Sequence, residues 1–329
     1  MFQPAYLKLF HSGELKRRAE ALKARLYNCD ICPRRCRVDR YENNNGFCRS
    51  GCLARISSYC AHHGEEPALS GSRGSGTIFF SNCNLRCLYC QNFQISQEPD
   101  PTAHNIESMG LADVMLRLQE ELDCHNINLV SPTHFVPQII EALQYATARG
   151  LRLPLVFNTN GFDDLGTLSM LDGVVDIYLP DIKYASDEQA SRFSQGKDYV
   201  KYNRAAIAEM FRQVGNLATD TSGVAQRGLI VRHLILPNDI AGSAESLEWL
   251  AKTVSPDVAV SIMSQYHPCY KAASEPLLAR RISREEYGRV VKKAGELRLE
   301  NGWLQEMSSA DYYLPDFRRE GHPFNSGQI

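Results

Sequence analysis

The chain has 329 residues, 43% of them apolar, with 36 basic and 38 acidic side chains and a net charge of −2. That suits one large domain with an appendage, or two domains, and the balanced charge excludes a global polyanion-binding surface, so no nucleic-acid partner is expected. The N-terminal MFQPAYLKLFHSGELKRR lacks the basic and unbroken apolar regions of a signal peptide, and no apolar run is long enough to span a bilayer; the expectation is a soluble, cytoplasmic protein with no membrane partner.

In chain order, a charged helical pattern runs from about Phe10 to Tyr27. Residues 28–75 are rich in Cys, Arg, Gly and Asn and read as a loop-rich, metal-stapled module, with GSRGSG (Gly71–Gly76) a flexible approach to the first strand. It lacks the Gly-Lys-Ser/Thr ending of a phosphate loop. Apolar strands are predicted at Thr77–Phe80, Ile127–Val130, Leu155–Asn158, Val174–Leu179, Leu229–Leu236 and Val258–Met263. Helices are predicted between them. Leu111–Asp123 puts Leu111, Val114, Met115, Leu118 and Leu122 on one face, and Val136–Gly150 ends at its glycine. A long polar helical region covers about Asp187 to Val214, and further helices cover Ser243–Val254 and Glu285–Leu297.

Six strands alternating with helices predict a parallel α/β sheet, either an open doubly wound sheet or a partial (β/α)6 TIM-type barrel with a Cys-rich N-terminal segment. Polar residues follow each strand in turn: the thiols Cys83, Cys87 and Cys90, then SPTH, NTNG, PDIK, PND and SQYHP. One edge of polar loops is where chemistry sits in barrel-like folds. The expected division is residues 1–75, a helix and Cys-rich metal-binding segment, 76–300, the barrel, and 301–329, a C-terminal tail packed on it.

Nine of the eleven cysteines fall between Cys29 and Cys90. In a reducing compartment such clustering points to metal or redox chemistry. SNCNLRCLYCQN (Ser81–Asn92) has the spacing C-x3-C-x2-C. A closed structural zinc site takes four protein ligands, and a 4Fe–4S cluster is usually held by four thiolates. Three thiolates on one loop leave one iron open to a substrate or cofactor.

Cys83-x3-Cys87-x-Tyr89-Cys90, after the first strand of such a fold, resembles the signature of the radical S-adenosylmethionine (SAM) superfamily. The resemblance is closest to proteins like the pyruvate-formate-lyase-activating enzyme that carry an N-terminal cysteine segment. It extends over CDICPRRCRVDR, GFCRSG, HHGEEPALSGSRGSGTIFF, NINLVSPTH and SADYYLPDF, and so covers most of the chain. It implies a 4Fe–4S cluster on Cys83, Cys87 and Cys90, with SAM on the fourth iron, reductively cleaved to a 5′-deoxyadenosyl radical. It further implies SAM contacts from Asp181 and Lys183, from Arg232 through the SAM carboxylate, from His267, and from the element Thr159-Asn160-Gly161. Tyr89 would offer its ring to a base. The family's GGE element is replaced by Val130-Ser131-Pro132-Thr133-His134, where Ser131 and Thr133 could accept from the SAM ammonium group. The role of His134 stays open.

Cys29, Cys32, Cys36 and Cys48 form a second group, C-x2-C-x3-C-x11-C, which suits zinc, a second iron–sulfur cluster or free thiols. The implied reductant is a flavodoxin or ferredoxin-type protein. Two substrate classes follow: the glycine of a glycyl-radical enzyme, or a small molecule or peptide, as in an epimerase, with Cys269 as the candidate hydrogen donor. A non-enzymatic zinc-binding module is the remaining alternative.

Overall fold

In the computed structural model, residues 2–42, 46–311, 313–319 and 322–324 are described. The centre is a sheet of parallel strands β2 (Ser75–Phe80), β4 (Ile127–Val130), β5 (Leu155–Thr159), β6 (Ile177–Pro180), β8 (Ala225–Leu234), β9 (Ala259–Met263) and β10 (Gly302–Leu304), in that spatial order. β1 (Ala54–His62) runs antiparallel beside β2, and β3 (His104–Ile106) antiparallel beside β1. The short β7 (Ala218–Thr219) pairs antiparallel with β8. The sheet is open and ten-stranded, and the fold is α/β.

The central strands β2, β4, β6 and β9 are buried at every residue, as strands covered on both faces must be. Side-chain alternation sends Phe157, Tyr178, Leu229, Val231, Val260 and Ile262 to one face. There they meet a core that includes α2 (Glu14–Ala24), α5 (Ser108–Glu120), α6 (Val136–Ala148), α9 (Tyr199–Val214) and α11 (Arg284–Glu296). The opposite face carries Val156, Ile177, Leu179, Ile230 and Ala259, packed against Ala68 and Leu69 of the one-turn helix α3 (Pro67–Ser70). Asn126, at the start of β4, donates from Nδ2 to Leu69 O at 2.9 Å and fixes this plug near the N-terminal strand ends. Farther along, the same face turns polar, with Asn158, Arg232 and Ser261.

All six expected strands form, Ile127–Val130 with the expected bounds and the other five with shifted ends. The fourth begins at Ile177, because Leu171–Val174 is a turn. The sheet also runs through both expected boundaries. β1 lies within the segment expected to be loop-rich, where Cys, Ser and His hide the alternation of ARISSYCAH. β10 lies in the expected tail. The long helical region is two helices, α8 (Asp187–Ser194) and α9, broken where Gln195 and Asp198 take φ of 51° and 57°. α5 stops at Glu120, so Leu122, expected on its buried face, is exposed. Tyr6 OH donates to Leu153 O at 2.8 Å, and Ala5 N–H donates to Asp176 Oδ1 at 2.8 Å, so the N-terminus is tied to the sheet. Among the described residues, no helix is long and apolar enough to cross a membrane.

Gly161, two residues after β5, has φ +75°, and a Cβ there would meet Asn203 Nδ2 at 2.1 Å and Asp181 O at 2.3 Å. The Gly161→Ala variant is therefore expected to lose about 2–4 kcal/mol of stability. Gly288, exposed within α11 and with nothing within 4 Å of its ideal Cβ, is the control. Gly288→Ala should gain up to about 1 kcal/mol. Chemical denaturation of both variants against the parent measures the difference.

Candidate functional site

A cavity of about 600 Å³ opens at the C-terminal ends of the parallel strands. β2 delivers the first group, the loop Ser81–Asn92. Backbone bonds fix its start and its middle: Ser81 N–H to Arg55 O at 2.9 Å, Arg86 N–H to Ser194 O at 3.0 Å and Leu88 N–H to Phe193 O at 2.8 Å. Cys83, Cys87 and Cys90 all line the cavity as free thiols.

Each sulfur has a polar neighbour. Cys83 Sγ accepts from Leu85 N–H at 3.4 Å and from Asn160 Nδ2 at 3.3 Å. Ser194 Oγ donates to Cys87 Sγ at 3.0 Å, and Ser96 Oγ lies 3.2 Å from Cys90 Sγ. Burial pushes the Cys87 thiol up to about 12, against the pull of the Lys183 cation, and the Cys90 thiol up to about 11. Binding a metal would require these thiols to give up their protons. Among the described residues, no three His, Cys, Asp or Glu side chains are grouped to hold a metal ion.

The structure brings most of the expected residues to this cavity. Tyr89, Ser131, Asn160, Asp181, Lys183 and Arg232 all line it. Tyr89 OH donates to Tyr184 OH at 2.8 Å, and Tyr184 OH lies 2.6 Å from Ser194 Oγ, so a hydroxyl chain ends on the Cys87 sulfur. Asn160 Nδ2 also donates to Asn84 Oδ1 at 2.8 Å, joining the loop after β5 to the thiol loop. Lys183 Nζ lies 2.7 Å from Asp181 Oδ2. Burial opposes the Lys183 charge, but the neighbouring Asp181 outweighs it and holds the ammonium well above its ordinary range.

Three expected residues stand elsewhere. Thr133 Oγ1 donates to Asp163 Oδ1 at 2.7 Å in the interior, so its hydroxyl is taken. Cys269 is buried with its sulfur 3.7 Å from Tyr89 O and 3.5 Å from Cys90 O, behind the thiol loop and off the cavity wall. His267 is also off the wall, with Nδ1 3.4 Å from Arg281 Nη2. His134 is buried, its Nε2 3.1 Å from Ser81 O, and burial pushes it down to about 3; it supports the loop from beneath.

Arg232 has the anionic partner that a charge inside an apolar strand demands, but the partner is protein. Its Nε donates to Glu66 Oε1 at 2.7 Å and its Nη2 to Glu66 Oε2 at 2.6 Å, while Nη2 also meets Glu65. Sequence reasoning missed both glutamates. The signal was the pair of acids in GEEP, next to the α3 plug, and an intrastrand arginine in search of a counter-charge. Ser96, Tyr184 and Ser194 were missed as well, since no sequence pattern marks a neighbour of a sulfur.

The fold and this site define a class: an open-sheet α/β protein with a three-thiol loop at the C-terminal strand edge and a charged cavity beside it. The chain is 31% identical over 294 residues to Uncharacterized protein MJ0674 of Methanocaldococcus jannaschii, across 86% of this chain and 79% of that protein. It belongs to the same family. Uncharacterized protein MJ0808 of the same organism is 27% identical over 186 residues, 51% of this chain and 53% of that protein. No family model matches.

Two predictions follow from the buried charges. Arg232→Met strands two carboxylates in a buried site and should cost about 3–5 kcal/mol. Adding Glu65→Gln and Glu66→Gln should restore part of that, measured by urea titration. Burial raises Asp163 from 3.8 to about 6, against hydrogen bonds from Thr133 and Thr159. Its contribution to stability is fully present below the unfolded value of 3.8 and is lost as pH rises through about 6. Asp163→Asn removes that loss, so the variant should gain on the parent between pH 4 and pH 7 in the same titration.

Proposed function

We propose that this chain is a radical SAM enzyme, with a 4Fe–4S cluster held by Cys83, Cys87 and Cys90 and SAM bound beside it. In this reading the open sheet is a partial barrel, and its C-terminal edge is the catalytic rim. The observation that carries it is the set of three sulfurs on one loop, facing one cavity, each with a polar neighbour of its own: Asn160, Ser194 and Ser96. Such neighbours orient thiolate ligands and tune the metal they hold. When bound, the cluster and SAM supply one-electron cleavage of the SAM sulfonium and, through it, abstraction of a hydrogen atom from the substrate.

The chain's own residues prepare that site. The hydroxyl chain from Tyr89 through Tyr184 and Ser194 fixes the Cys87 sulfur. Glu65, Glu66, Asp181 and Glu306 outnumber Arg232 and Lys183 on the wall, which complements a ligand carrying both sulfonium and ammonium charge. Arg232 belongs here as the counter-ion of Glu65 and Glu66, in place of the carboxylate grip that the resemblance implies. Ser131 remains the cavity-lining candidate for the ammonium group, without Thr133. A cavity of about 600 Å³ is within the ordinary range for a cofactor-sized ligand.

A flavodoxin or ferredoxin-type protein would supply the electron. On its wall, Glu306, Tyr313 and Pro315 come from the C-terminal segment. That wall favours a compact molecule or one extended peptide segment, such as the glycine loop of a glycyl-radical enzyme. Cys269, behind the loop, has no part as a hydrogen donor in this reading.

Protein purified and reconstituted without oxygen should convert SAM to 5′-deoxyadenosine when dithionite is added, read by liquid chromatography. Cys87→Ala should abolish the product. A fully iron-loaded parent that releases no 5′-deoxyadenosine would overturn the reading.

A further inference from the structure

We infer that Cys29, Cys32, Cys36 and Cys48 bind a second iron–sulfur cluster, of the 4Fe–4S type. All four are free thiols, and all four line one small enclosed space of about 10 Å³. The backbone brings them there by turns: Arg35 N–H donates to Cys32 O at 3.0 Å, Arg37 N–H to Cys29 O at 2.9 Å and Cys29 N–H to Val38 O at 3.0 Å. Arg35, Arg37 and Arg49 hold left-handed φ of 42°, 59° and 57°, a local cost that persists where surrounding structure demands it. Phe47 N–H donates to Cys36 Sγ at 3.3 Å, the bond that a ligating sulfur accepts.

The lining selects the charge of the occupant. Arg34, Arg35 and Arg40 face this space together with the four thiols; among the described residues no carboxylate lines it, and Asp164 Oδ2 pairs with Arg35 at 2.9 Å away from it. Arg40 is buried to 2% exposure, its donors spent on Ser50 O, Gly51 O and His134 O. Three guanidiniums around four thiols suit a centre whose thiolates leave it negative.

The room between the thiols argues for the larger centre. Zinc draws four thiolates in to about 2.3 Å, which leaves no room for a water-sized sphere between them. A space of about 10 Å³ does hold one such sphere. No three of the four thiols are grouped around a point that could hold one metal ion. A cubane has four irons at alternate corners, one for each thiolate, and sets its ligands around a body in place of a point.

The two thiol groups are also neighbours through Phe47. Arg34 stacks on this ring at 3.6 Å and donates to Asn84 O at 2.9 Å, while Arg86 stacks at 4.6 Å and donates to Cys83 O at 2.8 Å.

The test separates this site from the cavity site. A full-length variant with Cys83→Ala, Cys87→Ala and Cys90→Ala, reconstituted without oxygen, should retain about four irons and four sulfides per chain, with the Mössbauer signature of a cubane. Cys32→Ala with Cys36→Ala in the otherwise unchanged chain should lose about four irons relative to the parent. Circular dichroism of each variant checks that it is folded. About one zinc per chain and no sulfide in the first variant, or no bound metal at all in that folded variant, would overturn the inference. Neither result depends on SAM cleavage, so failure here and failure of the radical reading are told apart.

Discussion

The buried pairing of Arg232 with Glu65 and Glu66 is the constraint on which the cavity depends. A parallel sheet covered by helices on one face has a second face to fill. Near the N-terminal strand ends, α3 fills it with Ala68 and Leu69. Beyond the plug, apolar filling stops, and the sheet carries an arginine that would be intolerable alone. The two glutamates arrive on the chain immediately before the plug, so one short segment both seals the apolar half and neutralises the polar half. Burial works against the ionised Glu66 and the Arg232 cation opposes it, leaving the carboxyl below its ordinary range. The cavity can be polar because its floor is already balanced.

The thiol loop is held by the same economy of neighbours. Its three sulfurs are positioned by residues from three elements: Asn160 after β5, Ser194 at the end of α8 and Ser96 in α4 (Phe93–Ser96). Asn160 and Asp181 are in turn held by the close approach at Gly161, where Asn203 Nδ2 donates to Asp181 O at 2.8 Å and Gly161 O at 3.2 Å. Tyr199 OH donates to Asn160 O at 2.9 Å on the same side. Rigid strand ends thus fix the sulfurs through short polar links, which makes the loop a property of the whole edge of the sheet.

The strands that periodicity reveals are those buried on both faces, because continuous apolar runs such as TIFF and INLV have few other readings. β1 escaped notice because seven of the nine residues of ARISSYCAH are small or polar, and its pairing with β2 is supplied by tertiary contact. The site was legible where residue type alone carries chemistry: three cysteines, and charges placed after strands. It was illegible where the chemistry is relational. Thr133 reads as a free hydroxyl until Asp163 is seen to take it. Arg232 reads as a ligand contact until Glu66 is seen to face it. Cys269 reads as a rim thiol because it follows a strand, yet its sulfur turns back onto the carbonyls of Tyr89 and Cys90.

The N-terminal cysteines have a further structural consequence. No regular secondary structure is described over Cys29–Leu53, yet this stretch contains the fully buried Arg40 and reaches both His134 and Gln138. Segments this poor in apolar residues cannot offset the entropy of ordering by burial alone. Backbone bonds such as Arg40 N–H to Leu26 O at 2.9 Å give local order, but they exchange for water at little net gain. The inferred centre on four thiolates would supply what the sequence lacks, because its binding free energy would be folding free energy. The segment then holds Phe47 between Arg34 and Arg86, and through Arg86 braces the carbonyl of Cys83. With that centre bound, ordering of the N-terminal segment would also help to place the first cavity sulfur.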